Sequence, residues 1–291
     1  ADEDELTGGN AGGTGDDAES LTGSLTFNAG TDALALSTLT LSTGATGLTT
    51  LSGDTVVTTY DTANNMLIGY VANPSDATDT SNQVFTVSVT NIDETGADYA
   101  LSLKQPVEHA AGLDENNTTA LTVNVSLKDN EGDEATTIFT LTIDDDTPIA
   151  SDYDHATTIT EGSGSTELSA DAATTLGINA GADGLEGTLQ AIRFTNQGTA
   201  GGALSINGDG ALIYVAPSSV NNSSGDVTET FEYTVTDQDG DTVTKSVTVK
   251  VGDGANPTIT GARNVLADED ELTGGNAGGT GDDAESLTGS L

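Results

Sequence analysis

Three aspartates alternate through Asp237-Gln238-Asp239-Gly240-Asp241, and a similar run, Asp129-Asn130-Glu131-Gly132-Asp133-Glu134, stands earlier in the chain. Acids spaced by two around a Gly turn can bring their oxygens to one side. Such a set suits a hard cation: calcium takes about six to eight oxygens from carboxylates, amides and carbonyls and tolerates irregular geometry. The loops are too short for an EF-hand and lack a Glu at its last position. One copy alone reads equally well as a solvated hairpin turn; a second copy in a matching place favours metal.

A denser set follows the first hairpin. Asp144, Asp145 and Asp146 precede Pro148, Asp152 and Asp154 come next, and Glu161 falls in the following expected strand. Left bare, these acids repel and the segment is a self-extending linker. Bridged by calcium, they make a stiff joint. Asp253 and Asn256 before Pro257 form a sparser version, which Asp268, Glu269, Asp270 and Glu271 could supplement. The opening motif offers Asp2, Glu3, Asp4 and Glu5, then a Gly-rich loop with Asp16, Asp17 and Glu19. Gly12–Asp17 matches the front of the Gly-Gly-x-Gly-x-Asp calcium nonapeptide, but Glu19 stands where an apolar residue is expected and no tandem copy follows. That loop has room for one calcium site at most.

The elements that must position these acids are strands. Residues 55–60, 84–89, 120–127, 136–143, 231–236 and 242–251 alternate apolar with Thr, Ser or charge, the period of a half-buried strand. Gly, Asn and Asp clusters separate them as turns. Leu121–Asp146 and Phe231–Asp253 share one plan: strand, acidic Gly turn, strand, acids, then Pro148 or Pro257. The expected fold is all-β, with tandem immunoglobulin-like or cadherin-like sandwiches joined end to end by acidic linkers. The expected domains are 1–146 and 147–255, with 256–291 opening the next repeat. Residues 1–25 recur unchanged at 267–291, the mark of a window in a tandem array. Serial beads are the preferred arrangement, since consecutive elements usually pack as neighbours. The alternative is that 256–291 folds back to complete a split domain.

Composition narrows the function. Against 47 Asp+Glu stand 6 Lys+Arg, a net charge of −41, which repels nucleic acid and anionic membrane. The charge also opposes compaction unless cations offset it. The chain has no cysteine, and no stretch approaches the ~18 apolar residues of a membrane span. Catalytic candidates are thin. His109 reads as an exposed loop or strand end, and His155 as a neighbour of the acidic joint. Neither sits in a zinc pattern, and no nucleophile elbow or phosphate loop occurs. The chain is not expected to be an enzyme.

The hairpin Phe231–Val251 and the segment Thr140–Pro148, reading TLTIDDDTP, resemble the extender repeats of giant RTX adhesins exported by type I secretion. Residues 266–284, LADEDELTGGNAGGTGDDA, resemble the start of such repeats. The resemblance implies cadherin-like or immunoglobulin-like VCBS-type sandwiches on a Gram-negative cell surface, tethered at the outer membrane and acting in adhesion and biofilm formation. It implies calcium at Asp144, Asp145, Asp146, Asp152, Asp154 and Glu161, and at Asp237, Asp239 and Asp241. The residues themselves add Asp129, Asp133, Asp253, Asp268 and Asp270 as candidates. Partners would be calcium ions and neighbouring repeats of one monomeric chain, with no nucleic acid and no membrane insertion. The competing function is a sandwich that grips a sugar or protein through a face or loop.

Overall fold

The computed structural model describes residues 1–10, 20–72, 76–112, 118–261, 273 and 275. Residues Ala1–Asp253 form one compact unit with two hydrophobic cores. The strands around the first core are β1 (Ser20–Thr26), β2 (Leu34–Thr43), β3 (Val56–Asp61), β4 (Met66–Val71), β5 (Gln83–Thr90), β6 (Gly96–Leu103), β7 (Thr118–Asp129) and β8 (Glu134–Asp144). They make a five-stranded sheet, β1-β6-β5-β4-β3, and a three-stranded sheet, β2-β7-β8. Period-2 alternation turns one face of each sheet inward. Leu121, Val123 and Val125 of β7 thus share a core with Val84, Val87 and Leu101 of the facing sheet.

Around the second core lie β9 (Tyr153–Asp154), β10 (Ile159–Thr160), β11 (Ser165–Ser169), β12 (Phe194–Asn196), β13 (Ala203–Ile206), β14 (Leu212–Val215), β15 (Val227–Thr236) and β16 (Thr242–Gly252). One sheet runs β10-β16-β15-β12, with β9 also on β16; the other runs β11-β14-β13. Phe231, Tyr233 and Val235 of β15 pack with Val247, Val249 and Val251 of β16 and with Leu212 and Tyr214. The short strands and the helix α1 (Ala172–Leu176) lie outside the sequence expectation. The helix has local causes: Asp171 accepts from the Thr174 N–H at its start, and Gly177 takes a left-handed φ of 57° at its end.

The two long hairpins are one structure built twice. In β7–β8, Asp129 Oδ1 accepts from the N–H groups of Glu131, Gly132 and Asp133, and Gly132 has φ 98°. In β15–β16, Asp237 Oδ1 accepts from Gly240 and Asp241, and Gly240 has φ 104°. Both turns need a left-handed residue, which Gly supplies without strain. Residues 254–291 form a separate unit, whose described part contains no strand.

Candidate metal centre

The chain's opening segment reaches the first hairpin. Asp2 pairs in parallel with Asp144: Glu3 donates its N–H to the Asp144 carbonyl at 3.2 Å, and the Asp144 N–H donates to Ala1 at 2.8 Å. That pairing carries the Glu3 side chain into the protein, where it is fully buried and Oε1 accepts from the Val107 N–H at 2.8 Å. Asp145, the next residue after β8, is buried beside it.

The second hairpin comes to the same place. The N–H groups of His109 and Gly112, in the first half, donate to Asp239 Oδ2 and Asp241 Oδ1. Gly240 packs so closely on Ala111 that a Cβ there would lie 2.9 Å from the Ala111 Cβ. A bridge between Leu185 and Asp237 fixes the loop before it, which brings in Asp183. Asp146 ties this loop down, accepting from the N–H groups of Ala182 at 2.5 Å and Asn10 at 3.2 Å.

The result is a chain of carboxylates. Ligand atoms of Asp145, Asp183 and Asp239 lie within 4.8 Å of one another, as do those of Asp237, Asp239 and Asp241 and those of Glu3, His109 and Asp145. Asp239 joins two of these groups and Asp145 joins two. Asp183, Asp237 and Asp241 are at most 1% exposed. Both oxygens of Asp183, and Glu3 Oε2, Asp237 Oδ2, Asp239 Oδ1 and Asp241 Oδ2, meet no hydrogen-bond donor. Buried carboxylates normally have such partners, because an unpaired one costs several kcal/mol on the order of a buried charge.

Among the described residues, His109 is the basic side chain that lies against these acids. Its Nδ1 lies 3.4 Å from Asp145 Oδ1, 4.0 Å from Glu3 Oε1 and 3.1 Å from the Val107 carbonyl; Nε2 lies 3.2 Å from the Ile143 carbonyl. Each ring nitrogen thus faces a carbonyl or carboxylate oxygen. The expectation of an exposed His109 is therefore corrected: the residue is 8% exposed, held between the Val107 and Ile143 carbonyls.

The titration directions follow from this crowding. Burial, then Asp239, Asp183 and Asp241, push the Asp145 carboxyl up to about 9. Burial and Asp239 push Asp183 up to about 7, partly offset by the neighbouring Glu3 carboxyl. Burial and the adjoining Asp239 carboxyl push Asp237 up to about 8. Burial raises Glu3 well above the carboxylate range, helped by Asp183. Burial also raises Asp146, against the Ala182 and Asn10 N–H groups. Without a cation, Asp145 and Asp237 hold their protons at neutral pH.

Donor chemistry discriminates between metals. Zinc favours His and Cys ligands, and magnesium keeps near-octahedral water. Clustered carboxylates without thiols suit calcium, and their unpaired oxygens give it places to bind.

Of the residues expected from the sequence, Asp145, Asp146, Asp237, Asp239 and Asp241 come together. Asp144 adjoins them through its backbone. Asp152, Asp154 and Glu161 do not join. Asp152 accepts from the Ser246 N–H and hydroxyl, which hold it below the usual carboxylate range; Asp154 accepts from Thr248; Glu161 accepts from the Val220 N–H. They lie along β16 and a neighbouring loop because β9 and β10 pair there. Asp129 and Asp133 stay in an exposed turn, and Asp253 is exposed. Asp268 and Asp270 fall outside the described residues, as do Asp16, Asp17 and Glu19. The candidate site set omits Glu3, His109 and Asp183. Asp183 had one signal: Asn179-Ala180-Gly181-Ala182-Asp183 repeats the pattern of Asn28-Ala29-Gly30-Thr31-Asp32.

A profile of the bacterial Ig domain family matches residues 145–250. Those residues carry an immunoglobulin-like sandwich. Among solved structures, the chain is similar to Drosophila N-cadherin EC1-3, with 14% identity over 58% of this chain and 51% of that one, at a TM-score of 0.27. It is also similar to protocadherin gamma B2 extracellular cadherin domains 3-6, with 12% identity over 74% and 49%, at a TM-score of 0.26. The chain spans about half the length of each. No curated protein sequence matches it.

Proposed function

We propose that the chain is an extender segment of a large secreted bacterial surface adhesin, made stiff by calcium where successive sandwiches meet. The observation that carries this reading is the set of buried carboxylate oxygens, without donors, contributed by both halves of the compact unit. In this reading 1–146 and 147–255 are serial beads, and 256–291 begins the next. Glu3, Asp145, Asp183 and Asp239 would hold one ion, and Asp237, Asp239 and Asp241 another. Calcium would supply the missing positive charge and a cross-link between the halves. The chain's own residues prepare the site: Val107 orients Glu3, while His109 and Gly112 orient Asp239 and Asp241.

The bacterial Ig match, the exact duplication and the RTX-type resemblance support an extracellular repeat exported by type I secretion and tethered at the outer membrane. Calcium outside the cell suits even weak sites, since extracellular modules bind near about 10⁻⁴–10⁻³ M. In a calcium-poor cytosol the same acids would leave the joint loose, which favours export. The segment does no chemistry of its own. It acts as a monomeric strut that carries distal binding domains away from the surface, in adhesion and biofilm formation.

The test is a calcium titration followed by thermal melting and solution scattering. Millimolar calcium should raise the melting temperature and extend the particle, and excess chelator should reverse both. Profiles indifferent to chelator would remove calcium from the account.

A further inference from the structure

One edge of the second sandwich opens into a groove. The segment outside β15 pairs with it at two places. Leu185 bridges Asp237, and the Glu186 N–H donates to the Thr236 carbonyl at 2.9 Å; further on, Phe194 pairs with Tyr233. On β15 only Thr234 and Val235 lie between these contacts, whereas the outer segment must place residues 187–193 there. The surplus leaves the sheet at Gly187, whose φ of 84° is left-handed. It returns through the 3₁₀ turn Leu189–Ala191, after which Ile192 packs in the core. The excursion walls a groove of about 640 Å³, lined from the loop, β12, β15 and β16. That is the size of small-molecule sites, about 300–1,000 Å³.

The side chains that line it are polar and of mixed kind. Arg193, Thr195 and Gln197 alternate with the half-buried Phe194 and Asn196 and are exposed, with Thr195 directly opposite the exposed Glu232. Across the strands the Thr234 and Thr244 hydroxyls share a hydrogen bond at 2.9 Å, and Glu186 stands on the loop. Hydroxyls and the Gln amide both donate and accept, carboxylates accept, and the guanidinium has five N–H groups to donate. Arg193 spends one on the Gln190 carbonyl at 3.3 Å. Although the chain has 47 acids, Arg193 forms no ion pair with a described one. Its remaining donors are available to a ligand in the groove.

This set selects by exclusion as well. An anion would meet Glu186, Glu232 and the field of a body of net charge −41. A docked protein segment wants a desolvated apolar centre. Two of the apolar residues that line the groove, Ile192 and Tyr233, are 9% and 1% exposed and offer little of one. A ligand that is uncharged, and whose every edge both donates and accepts, fits the remainder.

We propose that the groove between the 187–193 loop and the outer face of β12 and β15 binds a short stretch of a neutral polysaccharide. Glu232 and Glu186 would accept from its hydroxyls, Arg193 would donate to its oxygens, and Thr195, Gln197 and Thr234 would do both. The inference depends neither on calcium nor on the extender reading. In a tandem array, many weak grooves would add through avidity.

The probes are maltohexaose, cellohexaose and mannohexaose, titrated calorimetrically into the full chain, with hexagalacturonate as the anionic control. Saturable binding of at least one neutral hexasaccharide is expected, and weaker binding or none of hexagalacturonate. Arg193→Ala and Glu232→Gln should each weaken binding about tenfold or more, the effect of losing a hydrogen bond to a charged group. Both positions are exposed, so both variants should melt with the parent chain. Binding by none of the three, binding undiminished in both variants, or tighter binding of hexagalacturonate overturns the proposal. The titrations are run in calcium and in chelator. Sugar binding without a calcium effect on melting sinks only the calcium joint, and the converse sinks only the groove.

Discussion

At the scale of the residue, burial has opposite consequences with and without a cation. Asp183 is buried with no donor on either oxygen, so its charge is a liability in metal-free protein and an asset in the calcium form. Asp183→Asn should therefore raise the melting temperature at pH 8 in chelator and shrink the gain from calcium, both read in paired melts. The pH dependence in chelator follows from Asp145, Asp237 and Asp183, raised to about 9, 8 and 7. Unfolded carboxyls release their protons near pH ~4, while the folded ones keep theirs to higher pH. The folded state thus binds more protons in between, and its stability falls as pH rises from about 4 to about 9. Melts in chelator should drop steadily from pH 5 to pH 9, and calcium should flatten the curve. A flat curve in chelator would contradict the burial argument. Glu229 is the contrast. It is equally buried, yet it accepts from Asn196 at 2.8 Å, Gly202 at 2.9 Å and the Tyr214 hydroxyl. Glu229→Ala strands three neutral donors, at about 1–3 kcal/mol for each left buried and unsatisfied, and should lower the stability read in urea titrations with the calcium gain unchanged.

At the scale of the element, both hairpins offered an acidic Gly turn in the sequence, and only one is built into the site. Alternation and the acidic Gly turn made both hairpins and their strands legible, because a strand's period and a turn's φ are local properties. What selects 237–241 over 129–133 is the cover: the N–H groups of His109 and Gly112 reach the acids of one turn, whereas the other meets only the Ala33 carbonyl, through the Asn130 N–H, at the end of the β2 pairing. That is a meeting of segments far apart in sequence, and no local pattern encodes it. The same holds for Glu3, brought in by a parallel bridge to Asp144, and for Asp183, carried on a loop with no strand period. Asp152, Asp154 and Glu161 looked equivalent to Asp145 on density of charge alone, but pairing with β16 claimed their neighbourhood. The two glycines test the distinction. Gly132 and Gly240 share a left-handed φ, so Ala at either should cost about 1–2 kcal/mol in backbone strain. At Gly132 a Cβ meets open space, whereas at Gly240 it meets Ala111. Gly240→Ala should also weaken calcium binding in a titration, and Gly132→Ala should leave it intact.

At the scale of the whole molecule, two kinds of negative charge must be separated. Most of the 47 acids face solvent or its edge, and their mutual repulsion is long-ranged and screened. At 1 M salt the screening length is about 3 Å, so sodium or potassium chloride should raise the melting temperature of metal-free protein. The buried cluster answers to a different rule. Its carboxylates are shielded from bulk ions, and diffuse counterions cannot occupy oxygens that lack donors. High salt should therefore leave the joint between the halves loose, while millimolar calcium tightens it at any ionic strength. Scattering and limited proteolysis across residues 146–152, compared in 1 M potassium chloride with chelator and in millimolar calcium at low salt, separate the two. Protection and an extended profile are expected only with calcium. If monovalent salt alone gave both, general screening would account for the stiffness and the buried acids would need no specific ion.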